Sequence, residues 1–443
     1  MSLSTATLRT QLDAVGEICG QPNRVLLAWS GGRDSTVLLH LLSCWAKDTG
    51  NELIALHVNH GLQNGADAWQ AHCDAQAREF GVALQCFRVE VGNEGLGLEA
   101  SARKARYATL QSAVEPGDWL LTAHHQDDQA ETVLLNLLRG SGIPGLRGTA
   151  ACRRLGTGFL IRPLLNVAGQ AIADYAAERS LAWIDDPSNA DQQFDRNYLR
   201  GTVLPVLQAR WPQAARSLTR SAAHATEAAL LLDELAHGDI DSCGSAERLS
   251  ISAMRALSAA RQRNLVRTAC RILHVQSPPF HQMHAIQNEL LNARCDASPL
   301  VIWPGGEARR YRDHLYLMAT TNSLSVATGL LSRDQPRSPL AGHQGVLSLN
   351  WSDEGGIREG TVVAGLQLRF RAGGERIQLA GNGRRRRLKS LFQEAGVVPW
   401  MRDRIPLLFA GEELVAVGDL WIAAEYHEPR GFSVTWEQKP ALF

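Results

Sequence analysis

The spacing of apolar residues changes from one segment to the next along the N-terminal half of the chain. Compact apolar runs predict β-strands from residue 25 up to the glycines at 31 and 32, and at residues 53–58, 83–91, 119–123 and 159–165. Apolar residues recur every three or four positions, as in helices, at residues 35–47, 66–80, 99–113, 129–138 and 167–179. Because strands and helices alternate, this part of the chain is predicted to form an α/β domain with a doubly wound, mostly parallel sheet.

The pattern changes twice further along the chain. From Trp211 to about Arg294 the sequence is rich in alanine and leucine at helical spacing, and strand-like segments return from about Leu300. Residues 320–344 contain serine, proline and glycine without a period, which is typical of a linker. We therefore expect three domains: an α/β domain at 1–212, a small, mainly helical domain at 213–320 and a basic α+β domain at 345–443.

The first predicted strand leads into a glycine-containing loop. Gly31 and Gly32 allow a sharp turn and a close backbone approach to a ligand, and Ser30 and Ser35 place hydroxyl groups beside the amides that open the next helix. Such a helix start is a ready site for an anion. The loop lacks the GxxxxGKS or GxxxxGKT phosphate signature and the third glycine of the dinucleotide fingerprint. The alternative is an ordinary strand-to-helix turn with serine capping.

The fourth predicted strand ends in a polar segment that opens another helix. His124 and His125 are followed by Asp128 and Glu131, which lie three positions apart and therefore share one helical face. Two carboxylates on one face are able to hold an ammonium group or to receive its proton. Helix capping alone would explain Asp127 or Asp128, but it leaves Glu131 without a role.

Two pairs of arginines also have helical spacing. Arg103 and Arg106 share a helical face, with Glu99 one turn before Arg103. These arginines are either part of a ligand site or members of a solvated, ion-paired surface. Arg196 and Arg200 lie one turn apart and are able to face the same anion.

Two further segments fit a ligand site at the strand ends. Asn59 and His60 follow the second predicted strand, where the base or ribose of a nucleotide would be within reach. Residues 139–148 contain four glycines and two arginines, which favours a mobile loop that covers a charged ligand rather than a regular element. A plain surface loop is the alternative for this segment.

The formal charge is balanced, with 45 basic and 45 acidic residues among 443, so any nucleic-acid surface must be a local patch. Residues 371–404 hold nine arginines and lysines against three acidic residues, an excess large enough for a surface that contacts phosphates. The alternative to such a surface is that the arginine run forms a solvated loop without a binding role. Phe392 within this segment is predicted either to pack in a core or to stack on a base.

The eight cysteines form no CxxC pair and lie in apolar segments, which indicates free thiols in a reducing compartment. No apolar run approaches the roughly 18 residues of a membrane span. We therefore expect a cytoplasmic protein without membrane contact.

The loop sequence Ser-Gly-Gly-Arg-Asp-Ser at residues 30–35 resembles the PP-loop of enzymes that cleave ATP between the α- and β-phosphates. The match continues in one consistent order at residues 57–62, 99–107, 124–132, 139–148, 185–200 and 371–404. On these motifs the chain resembles the tRNA(Ile)-lysidine synthetase family of PP-loop ligases. The resemblance implies that ATP, with Mg²⁺, adenylylates the wobble cytidine in the CAU anticodon of tRNA(Ile). Free L-lysine then attacks C2 to give lysidine, which changes codon specificity from AUG to AUA.

The same resemblance implies a role for each group of residues. The ATP-binding residues are Ser30, Gly31, Gly32, Arg33, Asp34 and Ser35, with Asp34 also holding Mg²⁺. The catalytic residues are Asp34, Asp128, Glu131, Arg103 and Arg196, of which Asp128 and Glu131 bind the ammonium of lysine. The residues that bind tRNA are Arg384, Arg385, Arg386, Arg387 and Lys389. Arg103 and Arg196 are candidates for the lysine carboxylate, the α-phosphate or the anticodon backbone.

Other classes of protein use similar loops. A PP-loop tRNA sulfurtransferase would activate the same kind of carbonyl, but it needs a persulfide cysteine or an iron–sulfur cluster, and the missing CxxC argues against the common versions. An amidotransferase ligase would not need the basic segment, and a non-catalytic RNA-binding protein would not need Asp34, Asp128 and Glu131. The sequence does not determine the oligomeric state, and a homodimer is retained as an expectation.

Overall fold

The computed structural model describes residues 3–59, 66–89, 98–185, 191–294, 297, 299–320, 329–340, 345–381 and 383–439. Within these ranges the side chains of residues 66–68, 98–100, 102 and 103 are not described. The chain divides into two compact units, Met1–Leu231 and Leu232–Phe443.

A six-stranded sheet organises the first unit. Its strands are β1 (Val25–Ala28), β2 (Leu53–Asn59), β3 (Ala83–Arg88), β4 (Trp119–Leu121), β5 (Cys152–Leu155) and β6 (Gly158–Ile161). They lie in the order β3-β2-β1-β4-β6-β5, and every pairing is parallel except that of β5 with β6. The predicted mostly parallel sheet is confirmed. Because the strand order reverses between β1 and β4, the loops after these two strands border the crevice where open α/β sheets bind ligands.

Helices precede, connect and follow the strands of this sheet. They are α1 (Thr5–Cys19), α2 (Arg33–Thr49), α3 (Ala66–Phe80), α4 (Leu98–Ser112), α5 (Gln126–Leu138), α6 (Ile143–Leu146), α7 (Gly169–Glu178), α8 (Asp195–Tyr198) and α9 (Leu204–Arg210), with a π-helical turn at Leu199–Val203. In α2, Val37, Leu38, Leu41 and Leu42 are all fully buried. The helix that follows the glycine loop is therefore fixed to the core by its apolar face.

Two details of the first unit differ from the prediction. α5 begins at Gln126 rather than at residue 129, because the carboxylate of Asp128 accepts the backbone N–H of His125 at 3.0 Å and caps the helix. Residues 139–148 are not simply a loop, since they contain the one-turn helix α6. The side-chain amide of Asn136 donates to the carbonyl of Gly145 at 2.7 Å and holds this turn against the preceding helix.

The second unit begins within a long helix, α10 (Ala214–Cys243). Three helices follow, α11 (Ile251–Ala256), α12 (Ala259–Ile272) and α13 (Phe280–Ala285), with a π-helical turn at Ile286–Leu290. They accompany an antiparallel sheet in the order β7-β10-β9-β8, formed by β7 (Arg248–Ser250), β8 (Leu300–Trp303), β9 (Gly306–Tyr311) and β10 (His314–Met318). No helix among the described residues has both the length and the apolar character needed to cross a membrane.

The C-terminal part of this unit contains two five-stranded sheets and a short ribbon. One sheet has the order β11-β15-β18-β19-β20, from β11 (Gly329–Leu331), β15 (Leu366–Arg369), β18 (Leu407–Ala410), β19 (Glu413–Val417) and β20 (Trp421–Ile422). The other has the order β12-β13-β22-β14-β21, from β12 (Arg337–Pro339), β13 (Val346–Ser352), β14 (Gly356–Ile357), β21 (His427–Glu428) and β22 (Gly431–Glu437). The ribbon pairs β16 (Arg376–Ile377) with β17 (Arg386–Arg387), and the helices are α14 (Glu359–Ala364) and α15 (Leu388–Glu394), with 3-10 turns at Pro399–Met401 and Ala424–Tyr426.

The segment predicted as a linker, residues 320–344, is not linker throughout. Its described part forms β11 and β12, which pair with β15 and β13. Each of these strands has three residues, which is too short for an alternation of apolar and polar positions to be recognised in the sequence.

Phe392 is a core residue. It lies in α15 with no exposed surface, and its ring packs 5.5 Å from that of Trp421. Of the two alternatives that the sequence left open, core packing is therefore confirmed, and stacking on a base is excluded for this ring.

We expect Phe392→Ala to lower the free energy of unfolding by about 3–5 kcal/mol, because it removes a fully buried ring and leaves a cavity. Denaturant unfolding followed by tryptophan fluorescence measures the change. Val363→Ala is a suitable control, since Val363 is 57% exposed and its truncation is expected to change little. Equal stability of the two variants would contradict the core assignment.

Candidate active site

The loop between β1 and α2 turns sharply at Gly31, which has a φ of +80°, in the left-handed region that favours glycine. The hydroxyl of Ser35 closes the turn, because it accepts the backbone N–H of Ser30 at 3.3 Å and donates to the carbonyl of Gly32 at 2.9 Å. The hydroxyl of Ser30 in turn accepts the N–H of Gly32 at 3.3 Å. The loop thus ends at the N-terminus of a 17-residue helix, where the helix dipole favours an anion.

Asp34, in the first turn of α2, meets the residue that caps α5. Its Oδ1 accepts a hydrogen bond from Arg33 Nε at 2.9 Å, and its Oδ2 lies 3.4 Å from His125 Nε2. The other ring nitrogen of His125, Nδ1, accepts the backbone N–H of Asp127 at 3.2 Å. The proton on Nε2 therefore faces Asp34, and His125 connects the glycine loop to α5.

The charges around His125 determine how the site ionises. Burial alone would raise the pKa of Asp34, but the hydrogen bond and charge of His125, together with Arg33, outweigh burial and hold this pKa below its usual value. Burial would likewise lower the pKa of His125, while its bond to Asp34 and the charges of Asp128 and Asp127 raise that pKa above its usual value. Asp34 is therefore ionised at neutral pH.

Asp128 and Glu131 lie in an ion-pair network with two arginines. Glu131 is fully buried, and its two oxygens accept hydrogen bonds from Arg196 Nε at 2.9 Å and from Arg200 Nε at 2.6 Å. Arg200 also donates through Nη2 to Asp128 Oδ1 at 2.8 Å. The two arginines thus face a common anionic group, and that group is the chain's own carboxylate pair.

The pKa of Asp128 is lowered by its neighbours. Burial would raise it, but the positive charges of His125, His124, Arg196 and Arg200 outweigh burial. A carboxylate with a lowered pKa binds a cation well and is a weak proton acceptor. Asp128 is therefore better suited to holding an ammonium group than to removing its proton.

Not every residue predicted for this site can be placed. Arg103 belongs to α4, but its side chain lies outside the described part of the chain, and His60 lies outside it entirely. Arg106 is half-buried, with its guanidinium carbon 5.9 Å from the centre of the Tyr107 ring. Asn59, at the end of β2, is buried.

A metal ion would find few protein ligands here. Among the described residues, no group of three or more histidines, cysteines, aspartates or glutamates has a geometry that could hold a metal. The ionised carboxylate of Asp34 is nevertheless partly exposed beside the glycine loop. A single carboxylate fits Mg²⁺ that is bound mainly through phosphate oxygens and water, rather than by a protein cage.

The basic segment of the second unit contains paired and unpaired cations. Arg386 forms an ion pair with Glu394, and Arg385 Nη2 lies 3.4 Å from Glu425 Oε2. Arg384, Arg387 and Lys389 are exposed and have no ion pair among the described residues. Among the five residues predicted to bind tRNA, these three are therefore the ones whose charge is not balanced by an acidic partner in the described part of the chain.

Three contacts of the site were not predicted from the sequence. His125 was recognised as polar but not as the group between Asp34 and α5. Trp69 received no role, although its indole Nε1 donates to the carbonyl of Ser30 at 2.8 Å. Gln129 donates to the carbonyl of Thr149 at 3.1 Å and fixes the chain after α6. Each contact joins distant parts of the sequence, and no local pattern signals it.

Comparison with known proteins agrees with this architecture. Residues 5–207 match the PP-loop domain family, and this match, together with the glycine loop at the end of β1, defines the first unit as a PP-loop domain. Residues 249–316 match the TilS substrate binding domain, and residues 366–436 match the TilS substrate C-terminal domain.

Relatives cover nearly the whole chain. The tRNA(Ile)-lysidine synthase of Alkalilimnicola ehrlichii is 42% identical over 437 residues, which are 98% of this chain and 97% of that protein. The tRNA(Ile)-lysidine synthase of Coxiella burnetii is 41% identical over 414 residues, 93% of this chain and 91% of that protein. The chain therefore belongs to the tRNA(Ile)-lysidine synthase family.

Proposed function

We propose that this protein is an ATP-dependent carbon–nitrogen ligase that joins the ε-amine of lysine to C2 of the wobble cytidine in tRNA(Ile) with a CAU anticodon. The product is lysidine, and the by-products are AMP and pyrophosphate. The observation that carries the proposal is the connection of the phosphate loop to the carboxylate pair of Asp128 and Glu131 through Asp34 and His125. It occurs in a chain that aligns over 98% of its length with a tRNA(Ile)-lysidine synthase.

The carbonyl oxygen of cytidine is a poor leaving group, so an amine cannot displace it before it has been converted to an AMP ester. We assign the β- and γ-phosphates of ATP to the loop of Ser30, Gly31, Gly32 and Ser35, at the start of α2. Arg33 holds Asp34 from the side at 2.9 Å and adds positive charge near the polyphosphate. The oxygen of cytidine attacks the α-phosphate, and pyrophosphate leaves.

Asp34 is the residue that would hold Mg²⁺. When bound, this ion neutralises the charge that develops on the phosphate oxygens. His125 keeps Asp34 ionised and fixes the orientation of its carboxylate.

Lysine is the proposed nucleophile, and Asp128 with Glu131 is its proposed ammonium site. Both carboxylates already contact the guanidinium groups of Arg196 and Arg200, so the ammonium of lysine must displace one of these two arginines. Arg200 is the better candidate to move, because its side chain is 44% exposed against 28% for Arg196. Arg103 and Arg196 remain candidates for the lysine carboxylate, the α-phosphate or the anticodon backbone.

The basic segment with its predicted residues Arg384, Arg385, Arg386, Arg387 and Lys389 is the proposed contact with tRNA outside the anticodon. The cations without an acidic partner, Arg384, Arg387 and Lys389, are proposed to contribute most, and Arg385 and Arg386 less, because they form ion pairs with Glu425 and Glu394. For a protein that acts on tRNA we predict a cytoplasmic location, and a homodimer likewise stays a prediction.

We expect Arg384→Gln with Arg387→Gln to weaken tRNA binding and to reduce the slope of log Kd against log salt by about two, since two phosphate contacts are lost. Arg385→Gln with Arg386→Gln is the matched control, and it should change the slope less because these arginines have acidic partners. Filter binding at several salt concentrations measures both. An unchanged slope in the first double variant would refute the assignment.

The proposed reaction is tested by incubating the protein with ATP, Mg²⁺, radiolabelled lysine and two tRNA(Ile) transcripts, one with a CAU and one with a GAU anticodon. We expect stable label on the CAU transcript alone, and only when ATP is present. Consumption of ATP with either transcript but without transfer of lysine would contradict the proposal. A sulfur donor would then be the next nucleophile to test, as for a PP-loop tRNA sulfurtransferase.

A further inference from the structure

Three consecutive backbone carbonyls of the phosphate loop are held from outside the loop. The carbonyl of Trp29 lies 3.1 Å from His57 Nδ1, the carbonyl of Ser30 accepts Trp69 Nε1–H at 2.8 Å, and the carbonyl of Gly31 accepts the N–H of Ile184 at 3.0 Å. Since a carbonyl only accepts hydrogen bonds, His57 carries its proton on Nδ1. The donors come from three different segments of the chain.

These bonds decide which way the amides of the loop point. No peptide bond among the described residues is cis, so the C=O and N–H of each peptide plane point in opposite directions. The N–H of Ser30 shares a peptide plane with the held carbonyl of Trp29, and it donates to the hydroxyl of Ser35 inside the loop. The N–H of Gly32 shares a plane with the held carbonyl of Gly31, and it donates to the hydroxyl of Ser30. The N–H of Gly31, opposite the carbonyl held by Trp69, is likewise directed away from the indole.

The orientation matters because an anion needs amides and not carbonyls around it. Successive backbone N–H groups in a turn form a concavity that binds phosphate, and a reversed peptide plane would present a carbonyl oxygen to the same charge. Only the plane between Ser30 and Gly31 depends on a side chain from α3, whose position is set by packing rather than by the loop itself.

Trp69 also fixes Gly31 by shape. A Cβ atom added at Gly31 would lie 2.5 Å from Trp69 Nε1, closer than such atoms approach one another, and 3.1 Å from Cys73 Sγ, which is a tight contact. The indole edge therefore rests directly against the glycine backbone. The hydrogen bond and the packing of Trp69 therefore both fix the orientation of the Ser30–Gly31 peptide plane.

We propose that Trp69 is a positioning residue for ATP: its indole N–H holds the Ser30–Gly31 peptide so that the N–H of Gly31 faces the polyphosphate. This role rests on the proposed function of the loop, and it assigns Trp69 no contact with lysine or tRNA. Its effect is confined to the affinity of the loop for phosphate.

The test is Trp69→Phe, which keeps an aromatic ring and removes the donor. Titration with ATP and with inorganic pyrophosphate measures the loop without requiring the complete reaction. We expect Kd for both to rise about three- to tenfold, as loss of one neutral hydrogen bond predicts. KM for ATP should rise in parallel while KM for lysine stays unchanged, and the midpoint of thermal unfolding should fall only slightly, since one hydrogen bond and part of the indole packing are lost. Trp351→Phe is the control, because Trp351 is 52% exposed and lies in the second unit.

Site-specific incorporation of 7-azatryptophan at residue 69 retains the ring N–H and should restore the wild-type Kd for pyrophosphate. Wild-type Kd values for both ligands in Trp69→Phe would overturn the proposal, and so would equal increases in KM for ATP and for lysine. Absence of lysine transfer by the wild-type protein would instead contradict the proposed function, and the pyrophosphate titration would still decide the role of Trp69.

Discussion

Asp34→Asn is expected to reduce lysidine formation at least a hundredfold while the protein remains folded. Asparagine has nearly the shape of aspartate, and its amide oxygen is able to accept the bond from His125. It lacks the negative charge that a Mg²⁺–ATP complex requires at this position. Loss of one preorganised electrostatic contact in an active site typically lowers the rate by about a hundred- to a thousandfold.

The decisive measurement for Asp34→Asn is ATP consumption in the presence of the CAU transcript, because it reports activation separately from the transfer of lysine. Asp48→Asn is the matched control, since Asp48 is an exposed aspartate on the same helix, α2. The variant and its control should unfold at similar temperatures. If Asp34→Asn kept more than about a tenth of the wild-type rate, a role in holding the metal would be refuted.

Features encoded in contiguous residues could be predicted from the sequence. The glycine loop, the helix after it and the spacing of Asp128 and Glu131 all follow from local rules of turns and helical period. The parallel sheet followed as well, because the alternation of strands and helices leaves few other arrangements. In each case the determining residues lie within about one turn or one connection of one another.

Features that join distant segments could not be predicted. Arg196 and Glu131 are 65 positions apart, and nothing in either segment shows that the arginine of one meets the carboxylate of the other. The sequence favoured an external anion for Arg196, since a helix with two arginines does not reveal its partner. Trp69 lies 39 positions from Ser30, and an isolated tryptophan in a helix is more typical of core packing than of a hydrogen bond to a loop.

Glu131→Gln is expected to raise KM for lysine about ten- to a hundredfold, with a smaller effect on ATP consumption. Glutamine keeps the size of the side chain but cannot offer a charge to an ammonium group, and a hydrogen bond to a charged group contributes roughly 1.5–3 kcal/mol. The same change leaves Arg196 and Arg200 without the counter-charge that they share. Because both arginines are partly exposed and are able to reach water, we expect a loss of stability of only about 1–3 kcal/mol.

Arg200→Ala separates the two expected consequences of Glu131→Gln, which are weaker binding of lysine and lower stability. It also removes two ion pairs, those of Arg200 with Asp128 and with Glu131, and therefore lowers stability, but it leaves both carboxylates available to lysine. If the carboxylate pair binds the ammonium, Arg200→Ala should not raise KM for lysine, whereas Glu131→Gln should. Glu178→Gln serves as the control for the loss of a charge, since Glu178 is 70% exposed. Equal increases in KM for Glu131→Gln and Arg200→Ala would mean that the network acts only through stability, and the ammonium site would then have to lie elsewhere.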